Sequence, residues 1–272
     1  MTYETVEASC LDKSGRPDQG DDAIYLGDDL CAVLDGVTSD SVCDCCGRSA
    51  GKLAVDAVVA HFETMDPSTG LTEFLRDVQS TMTSWFDRHH VDETGFAASA
   101  AVWNAAREEL WFIGDCHAYV DGEQVAFTKP IDEAAATVRS AVLRARLLEG
   151  ESLETLRSVD PGRDAIRPLL RSQSRLRNNL RGGGDLAYAA LSTTEVPRAL
   201  CEVYPVADDI PEIILASDGY SVLMPTLAQT EARLFEMLAA DPLCIGELRG
   251  TKGVTPGNAS FDDRTYLRIR RR

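Results

Sequence analysis

The sequence predicts an α+β layered fold, in which strands are grouped around helical hairpins. Apolar residues recur at helical spacing over residues 71–90. Short apolar runs separated by turn residues occupy residues 97–127, and further strand-like runs return at residues 213–216 and 265–269. Blocks of strands therefore alternate with blocks of helices along the chain.

The N-terminal third predicts strands followed by two helices. Residues 30–34 are a short apolar run typical of a buried strand, and residues 47–63 place most of their apolar side chains on one helical side. The second helix covers residues 71–90, and core packing explains its apolar stripe without any cofactor.

The rest of the chain alternates between strands and helices. Within the strand-rich region 97–127, the Asp121-Gly122 pair is typical of a tight hairpin. One helix is predicted at residues 132–149 and ends at Gly150. A second is predicted at residues 164–180 and ends at a run of three glycines. The remaining predicted elements are strands at 186–191, 199–206, 213–216 and 265–269 and a helix at 227–240.

Composition narrows the class of protein. A chain of 272 residues, 44% hydrophobic and 26% charged, is typical of a soluble globular protein of one large or two small domains. Its net charge of −17 argues against a nucleic-acid partner, because phosphate backbones are bound by Lys and Arg. No run reaches the length of a membrane span, and the first residues lack a signal pattern. We therefore expect a cytoplasmic protein without a membrane partner, and the excess of Arg over Lys hints at a bacterial source.

Acidic residues accompany several of the strand-like runs. The segments are Gly20-Asp21-Asp22-Ala23, Val33-Leu34-Asp35-Gly36, Leu215-Ala216-Ser217-Asp218-Gly219 and Phe261-Asp262-Asp263-Arg264-Thr265. A fold can bring carboxylates together at strand ends, where they repel one another at low dielectric. A hard divalent cation held by oxygen ligands is the usual remedy. The sequence thus predicts a metal site built from both ends of the chain.

The order of these segments resembles the metal-dependent protein phosphatase family, the type 2C serine/threonine phosphatases, in its bacterial form. Members typically run Arg-x-x-Asn-Glu-Asp, Ala-Asp-Gly, Gly-Asp-Ser-Arg-Ala-Tyr, Ala-Ser-Asp-Gly and Asp-Asn-x-Thr. The matching segments here are Arg16…Asp22, Leu34-Asp35-Gly36, Gly114-Asp115-Cys116-His117-Ala118-Tyr119, Ala216-Ser217-Asp218-Gly219 and Asp262-Asp263-Arg264-Thr265. Each motif alone is weak, but five in the family order, over residues 16 to about 269, are specific.

The resemblance implies a four-layer αββα sandwich, in which two antiparallel sheets are flanked by helix pairs. It implies one domain over residues 1–272, with an arginine-rich helical insertion, or flap, at about residues 132–182. The implied activity is hydrolysis of phosphomonoesters, above all phosphoserine and phosphothreonine in proteins, by a water that two Mn²⁺ or Mg²⁺ ions activate.

The resemblance also assigns roles to residues. Asp22 and Asp35 would hold the attacking water, and Arg16 would bind the substrate phosphate. The implied metal ligands are Asp22, Asp35, the carbonyl of Gly36, Asp218 and Asp262, with Asp115 at a third, weaker ion.

Several positions depart from the family pattern. Asp21 stands where a Glu is usual, Asp263 replaces an Asn, and Arg16 lies one residue further upstream than usual. Cys116 and His117 replace Ser and Arg, and His117 could carry a proton or simply pack.

Two other functions remain open at this stage. One is an enzyme of the same fold acting on a small phosphorylated metabolite, and the other is a non-catalytic pseudophosphatase that only binds. The arginines of the insertion could grip an anionic substrate or form a solvated helix pair. Cys43 and Cys46 have the spacing of a zinc half-site, and with Cys45 they could instead be redox-sensitive or incidental.

Overall fold

The computed structural model describes residues 3–39, 41–207 and 209–271, and in this part of the chain the strands run antiparallel in two sheets. The strands are β1 (Tyr3–Leu11), β2 (Ala23–Leu26), β3 (Leu30–Gly36), β4 (Ala97–Asn104), β5 (Glu109–Ile113), β6 (His117–Val120), β7 (Glu123–Val125), β8 (Leu191–Ser192), β9 (Glu202–Pro205), β10 (Glu212–Ala216) and β11 (Arg264–Arg271). The first sheet has the order β1-β11-β10-β6-β7. The second has the order β2-β3-β4-β5-β9, with β8 paired to β4.

The helices occur in three stretches of the chain: between β3 and β4, between β7 and β8, and between β10 and β11. They are α1 (Ala50–Phe62), α2 (Leu71–His89), α3 (Pro130–Leu148), α4 (Leu153–Ser158), α5 (Pro161–Ser172), α6 (Leu180–Gly183) and α7 (Leu227–Ala240), and short 3₁₀ turns cover Gln173–Arg175, Gly184–Leu186 and Arg198–Leu200. A search of the described residues found no helix with the length and apolar character needed to cross a membrane.

Successive side chains of β3 face two different layers of the core. Cys31 and Val33 face the core between the two sheets, whereas Ala32 and Leu34 face the helices. Because both faces of this strand are covered, all of its side chains except the terminal acidic one are buried. A run of apolar residues without alternation in hydropathy is the expected signature of such a strand.

Helices α1 and α2 cover the outer face of the second sheet, where Phe74 stacks on Trp111 with ring centroids 5.7 Å apart. The outer face of the first sheet is covered by α7 and by the loop 241–254, through residues such as Leu234. The layered α+β fold with two antiparallel sheets is therefore confirmed.

The predicted strand 186–191 is shorter in the structure, because it begins as a 3₁₀ turn and pairs only at β8. Asn178 explains the difference: its side-chain amide donates to the Ala190 carbonyl at 2.9 Å and accepts from the Ala190 N–H at 3.0 Å. Both backbone groups that a strand would pair are thereby bonded to a side chain. The predicted helix 164–180 likewise ends early, at Ser172, and the chain turns at Asn178 with φ of 55°.

Candidate metal centre

The strand register gathers acidic residues at one edge of the first sheet. Ala216, the last residue of β10, pairs with His117 in β6 and with Tyr266 in β11. The acidic residues just beyond these strand ends therefore share that edge, and they are Asp115, Asp218 and Asp262.

The second sheet contributes Asp35, which pairs with Ser99 of β4. The Ser99 hydroxyl donates to Asp115 Oδ1 at 2.7 Å, which connects the two sheets at this edge. Carboxylate oxygens of Asp35, Asp115 and Asp218 all lie within 4.8 Å of one another. The structure thus brings together three of the carboxylates that the sequence predicts to share a site.

The cluster is electrostatically unfavourable by itself. Burial raises the pKa of Asp35 well above its ordinary value, and repulsion from Asp218, Asp22 and Asp115 adds to the effect. Burial also raises the pKa of Asp218, again with a contribution from Asp115. A cation between these oxygens would remove both the repulsion and part of the desolvation cost. The donor set consists of carboxylate oxygens, and it therefore fits a hard divalent ion such as Mn²⁺ or Mg²⁺.

Asp115 differs from its two neighbours because it already has a positive partner. Lys129 Nζ lies 2.7 Å from its Oδ1, and both side chains are largely buried. Burial opposes the charge on Asp115, but Lys129 and the Ser99 hydroxyl outweigh burial and lower its pKa. Asp115 is therefore held as an anion beside the cluster.

Asp262 lies at the same edge of the sheet, and its two oxygens contact lysines. Lys13 Nζ lies 3.5 Å from one oxygen, and Lys252 Nζ pairs with the other. Lys252 and Lys13 also approach the Thr38 hydroxyl, at 3.3 Å and 3.4 Å. Ammonium groups thus lie next to the carboxylate that the resemblance assigns to a metal.

Asp22 is buried behind the cluster. Its Oδ2 accepts hydrogen bonds from the hydroxyls of Ser217 and Thr265, both at 2.8 Å. Burial raises the pKa of Asp22 to about 7 in spite of these bonds. Asp22 lines a separate cavity of about 460 Å³, together with Cys10 and Lys52. The structure does not place it in the group of Asp35, Asp115 and Asp218, and its role as a ligand stays a prediction.

The Asp21 backbone lies against the turn formed by Asp35 and Gly36. A Cβ on Gly36 would meet the Asp21 carbonyl oxygen at 2.8 Å, so only glycine permits this approach of the two backbones. The Asp21 carboxylate accepts a hydrogen bond from the Ser49 hydroxyl. Asp21 borders a cavity that Asp12 and Asp263 also line, and the structure does not place it in the group of Asp35, Asp115 and Asp218.

A cavity of about 430 Å³ lies over the carboxylates. Its lining includes Asp35, Asp115, Asp218 and Asp262 together with basic residues, namely Lys129, Lys252, Arg163, Arg167, Arg171 and Arg177. The whole sequence contains four lysines. Three of them contact Asp115 or Asp262, and the fourth, Lys52, donates to the Asp22 carbonyl at 3.1 Å. The lysines are therefore concentrated at this site.

The arginines of the helical segment 132–182, which the resemblance predicts to be an insertion, include two contrasting sets. Arg139 is fully buried and binds main-chain carbonyls of the loop 243–250. Arg163, Arg167 and Arg171 recur every four residues on α5, so they share one face of the helix, and all three line the cavity. Arg163 also donates to the Thr251 carbonyl at 2.9 Å. The insertion is thus partly structural and partly a basic wall.

Arg16 lies away from this cavity. Its Nε donates to Asp12 Oδ2 at 2.9 Å and its Nη2 lies 2.7 Å from the same oxygen. It lines a different cavity, which Asp21 and Asp263 also border. The structure does not bring Arg16 to the carboxylate cluster, and its role in substrate binding stays a prediction.

Cys116 and His117, which depart from the family motif, are both buried. Burial lowers the pKa of His117, and within the described residues its Nδ1 has no hydrogen-bond partner. Burial raises the pKa of the Cys116 thiol well above its usual range. Neither side chain lines the cavity over the carboxylates in the described part of the chain.

Comparison with known proteins adds evidence on the fold. No family model matches the sequence, and no curated protein matches it. Among solved structures, the Mycobacterium tuberculosis serine/threonine phosphatase PstP/Ppp matches with a TM-score of 0.51 at 20% identity, over 99% of both chains.

Two other solved structures match at similar levels. The catalytic domain of PstP in complex with two manganese ions gives a TM-score of 0.50 at 19% identity, over 99% of this chain and 98% of that one. The Staphylococcus aureus serine/threonine phosphatase Stp1 gives 0.50 at 13% identity, over 99% and 96%. At these identities the similarity concerns the fold, and it confirms for the fold the resemblance seen in the sequence.

Proposed function

We propose that this chain is a metal-dependent phosphatase of the type 2C family, acting on phosphoserine or phosphothreonine in proteins. The observation that carries the proposal is the group of three carboxylates with oxygens within 4.8 Å, at the floor of a cavity with basic walls. Divalent cations would bind the carboxylates at the floor of the cavity. An anionic phosphate would then bind both the cations and the basic side chains of the walls.

Asp35 and Asp218 would hold the cations directly, and Asp115 and Asp262 would complete the set after exchanging their lysine partners. Mn²⁺ and Mg²⁺ are the expected ions, since all the donors are oxygens. When bound, such ions polarise a phosphoryl oxygen and lower the pKa of a coordinated water. The manganese-bound relative supports two ions of this kind, without deciding between the two metals.

The chain's own cations would position the substrate. Lys129 and Lys252 border the carboxylates and line the cavity. With divalent ions on the carboxylates, Lys129 and Lys252 would be free to donate to oxygens of the substrate phosphate. Each lysine then exchanges one anion for another, so its positive charge stays compensated.

A phosphorylated protein is proposed as the substrate ahead of a small phosphorylated metabolite. The relatives of known structure are named as serine/threonine phosphatases. The arginine wall of α5 extends the basic surface beyond the carboxylates. A peptide carrying acidic residues next to its phosphoserine could contact both regions, whereas a small phosphate ester reaches only the floor.

The first experiment measures turnover of phosphoserine and phosphothreonine peptides and of p-nitrophenyl phosphate, after chelation and after adding back Mn²⁺ or Mg²⁺. We expect no turnover in chelator, recovery with metal, and faster hydrolysis of the peptides. The matched controls are Asp218→Asn, expected to be inactive, and Asp87→Asn on the exposed face of α2, expected to be fully active. Metal-independent turnover, or turnover retained in Asp218→Asn, would refute the proposal.

The role of Arg16 is tested separately. If Arg16 binds the phosphate, Arg16→Ala raises KM, and Asp12→Asn, which frees the guanidinium, does not. If KM instead responds to Lys252→Ala and not to Arg16→Ala, the phosphate contact belongs to the lysine that faces the cavity.

A further inference from the structure

Three thiols converge in the loop between β3 and α1. Residues 43–47 read Cys-Asp-Cys-Cys-Gly, and the sulfurs of Cys43, Cys45 and Cys46 all lie within 4.8 Å of one another. Cys43 Sγ and Cys45 Sγ are 2.8 Å apart. Cys43 is buried, whereas Cys45 and Cys46 are exposed. The proposed phosphatase chemistry uses none of these side chains.

The backbone holds the loop in this form. The Cys43 N–H donates to the Arg48 carbonyl at 2.8 Å, and the Gly47 N–H donates to the Cys43 carbonyl at 2.8 Å. Gly47 has φ of 70°, which side chains with a Cβ rarely adopt. Val42 and Ser49 pair across the base of the loop. The convergence of the thiols is therefore a consequence of a closed turn.

The hydrogen bonds within the turn point at Cys43. The Cys45 thiol, and to a lesser extent the Cys46 thiol and the backbone N–H groups of both residues, lower the pKa of Cys43 against the effect of burial. The reciprocal bond raises the pKa of Cys45 to about 11.

The other cysteines have the opposite character. Burial raises the pKa of Cys10 and Cys31 to about 11, and the pKa of Cys201 and Cys244 to about 12. Such thiols behave as small apolar side chains. The turn at residues 43–47 is thus the place, within the described chain, where cysteines are grouped as ligands.

We propose that Cys43, Cys45 and Cys46 form a binding site for a soft, thiophilic divalent cation of the Zn²⁺ class. A Zn–S bond is about 2.3 Å, so two sulfurs on one ion are at most about 4.6 Å apart, and small side-chain rotations bring these three into that range. The three thiols release their protons as the bonds form. Because Cys45 and Cys46 are exposed, the fourth position opens to solvent.

The site is connected to the carboxylate cavity through the chain on both sides. Val37, Thr38, Ser39 and Ser41, which precede the turn, line that cavity. Ser49, which follows it, caps α1 by accepting from the Lys52 N–H at 3.0 Å and donates to Asp21. A cation in the turn would therefore hold the rim of the cavity and the start of α1 in place.

The experiment titrates Cd²⁺ into reduced, anaerobic protein that carries Asp35→Asn and Asp218→Asn, so that the carboxylate site does not compete. The ultraviolet charge-transfer absorption of cadmium thiolate reports binding to sulfur alone. We expect one Cd²⁺ per chain. We also expect binding to weaken at least 100-fold in Cys45→Ser/Cys46→Ser, whose substituted residues are exposed and therefore compatible with folding. Cys10→Ser, outside the turn, is the matched control and should bind as the parent does.

Two results would overturn the proposal. One is the absence of the cadmium thiolate band from reduced parent protein whose thiols titrate as free. The other is a band of equal intensity and affinity in Cys45→Ser/Cys46→Ser, which would place the cation elsewhere. Neither result bears on the phosphatase proposal, because Asp35 and Asp218, the two carboxylates proposed to hold the cations directly, are replaced in all of these variants.

Discussion

Lys129 Nζ lies 2.7 Å from Asp115 Oδ1, and 12% of the lysine side chain is exposed. The same ammonium group is 5.6 Å from the centre of the Tyr188 ring. A fixed positive charge therefore borders the carboxylate cluster in the absence of metal. A divalent ion that binds Asp115 through Oδ1 competes with Lys129 for this oxygen, so lysine binding and metal binding there oppose each other.

The first prediction concerns that competition. Lys129→Met keeps the length of the side chain and removes its charge, so the metal-free protein should lose about 3–5 kcal/mol of unfolding free energy, the usual effect of unpairing a buried ion. Bound Mn²⁺ should restore most of this loss, since it neutralises Asp115 instead. The rise in Tm caused by Mn²⁺ should thus be larger in Lys129→Met than in the parent. An equal rise would show that the ion does not compete with Lys129 for Asp115. The exposed Arg88→Met is the control.

The second prediction concerns the repulsion inside the cluster. Asp35→Asn should raise Tm in the presence of chelator, because burial and neighbouring carboxylates raise the pKa of Asp35 and make its charge unfavourable. The same variant should lose the Tm increase with Mn²⁺ and lose turnover by more than about 100-fold, since removing even an outer partner of a metal site typically costs 10- to 100-fold. Asp87→Asn should change none of these three quantities. A lower Tm in chelator would contradict the proposed repulsion.

The third prediction tests the arginine wall. Arg171→Gln should raise KM for an acidic phosphopeptide by about two- to fivefold, the worth of one exposed ion pair, and leave KM for p-nitrophenyl phosphate unchanged. Arg175→Gln is the matched control, because Arg175 is exposed and is not among the described residues that line the cavity. Equal effects on both substrates, or equal effects of both variants, would remove α5 from substrate recognition.

The sequence predicted correctly the elements that local signals determine, such as apolar periodicity and a capping residue. Helix α7 was expected at residues 227–240 and has those bounds, with the Thr226 side chain accepting from the Gln229 N–H. The strand expected at 186–191 is mostly turn, because a side chain twelve residues away in sequence bonds to its backbone. Apolar periodicity carries no information on such a contact.

The same distinction between local pattern and tertiary packing applies to the site residues. Asp35 and Asp218 were expected to meet because each ends an apolar strand, and strand ends converge at a sheet edge. The partners of Asp115 and Asp262 were not expected, since Lys129 and Lys252 come from loops whose course depends on tertiary packing. The orientation of Asp22 towards Ser217 and Thr265 also depends on pairing between distant strands.

The fourth prediction is a pH dependence. Burial disfavours the charge on Asp12, but hydrogen bonds from Ser14 and Arg16 outweigh it and lower the pKa to about 2. A depressed pKa stabilises the fold above the ordinary value and loses this effect as pH falls towards the folded value. Asp12→Asn should therefore be less stable than the parent above about pH 5, with a difference that shrinks as pH falls through about 4 towards 2. Urea unfolding across this range measures it, and a difference independent of pH would contradict the assignment.

The last prediction concerns Arg139, which joins the insertion to the loop 243–250. Its guanidinium contacts Asp160 at 2.7 Å and donates to the carbonyls of Leu243, Cys244 and Gly250 at 2.8, 3.2 and 3.0 Å. The side chain is fully buried, so Arg139→Ala leaves a cavity and unpaired carbonyls, and the partly exposed Asp160 carboxylate loses this partner.

We expect Arg139→Ala to lower the unfolding free energy by about 2–5 kcal/mol, the range for truncating a large buried side chain. Arg146→Ala, on the exposed side of the same helix, should cost less than about 1 kcal/mol. Because the loop 243–250 loses its bonds to Arg139, limited proteolysis of Arg139→Ala should cut within this loop before the rest of the chain. The loop precedes Lys252 and Asp262 in the sequence. Equal stability of the two variants would show that the insertion is held by its apolar contacts, and that the four bonds of Arg139 contribute little.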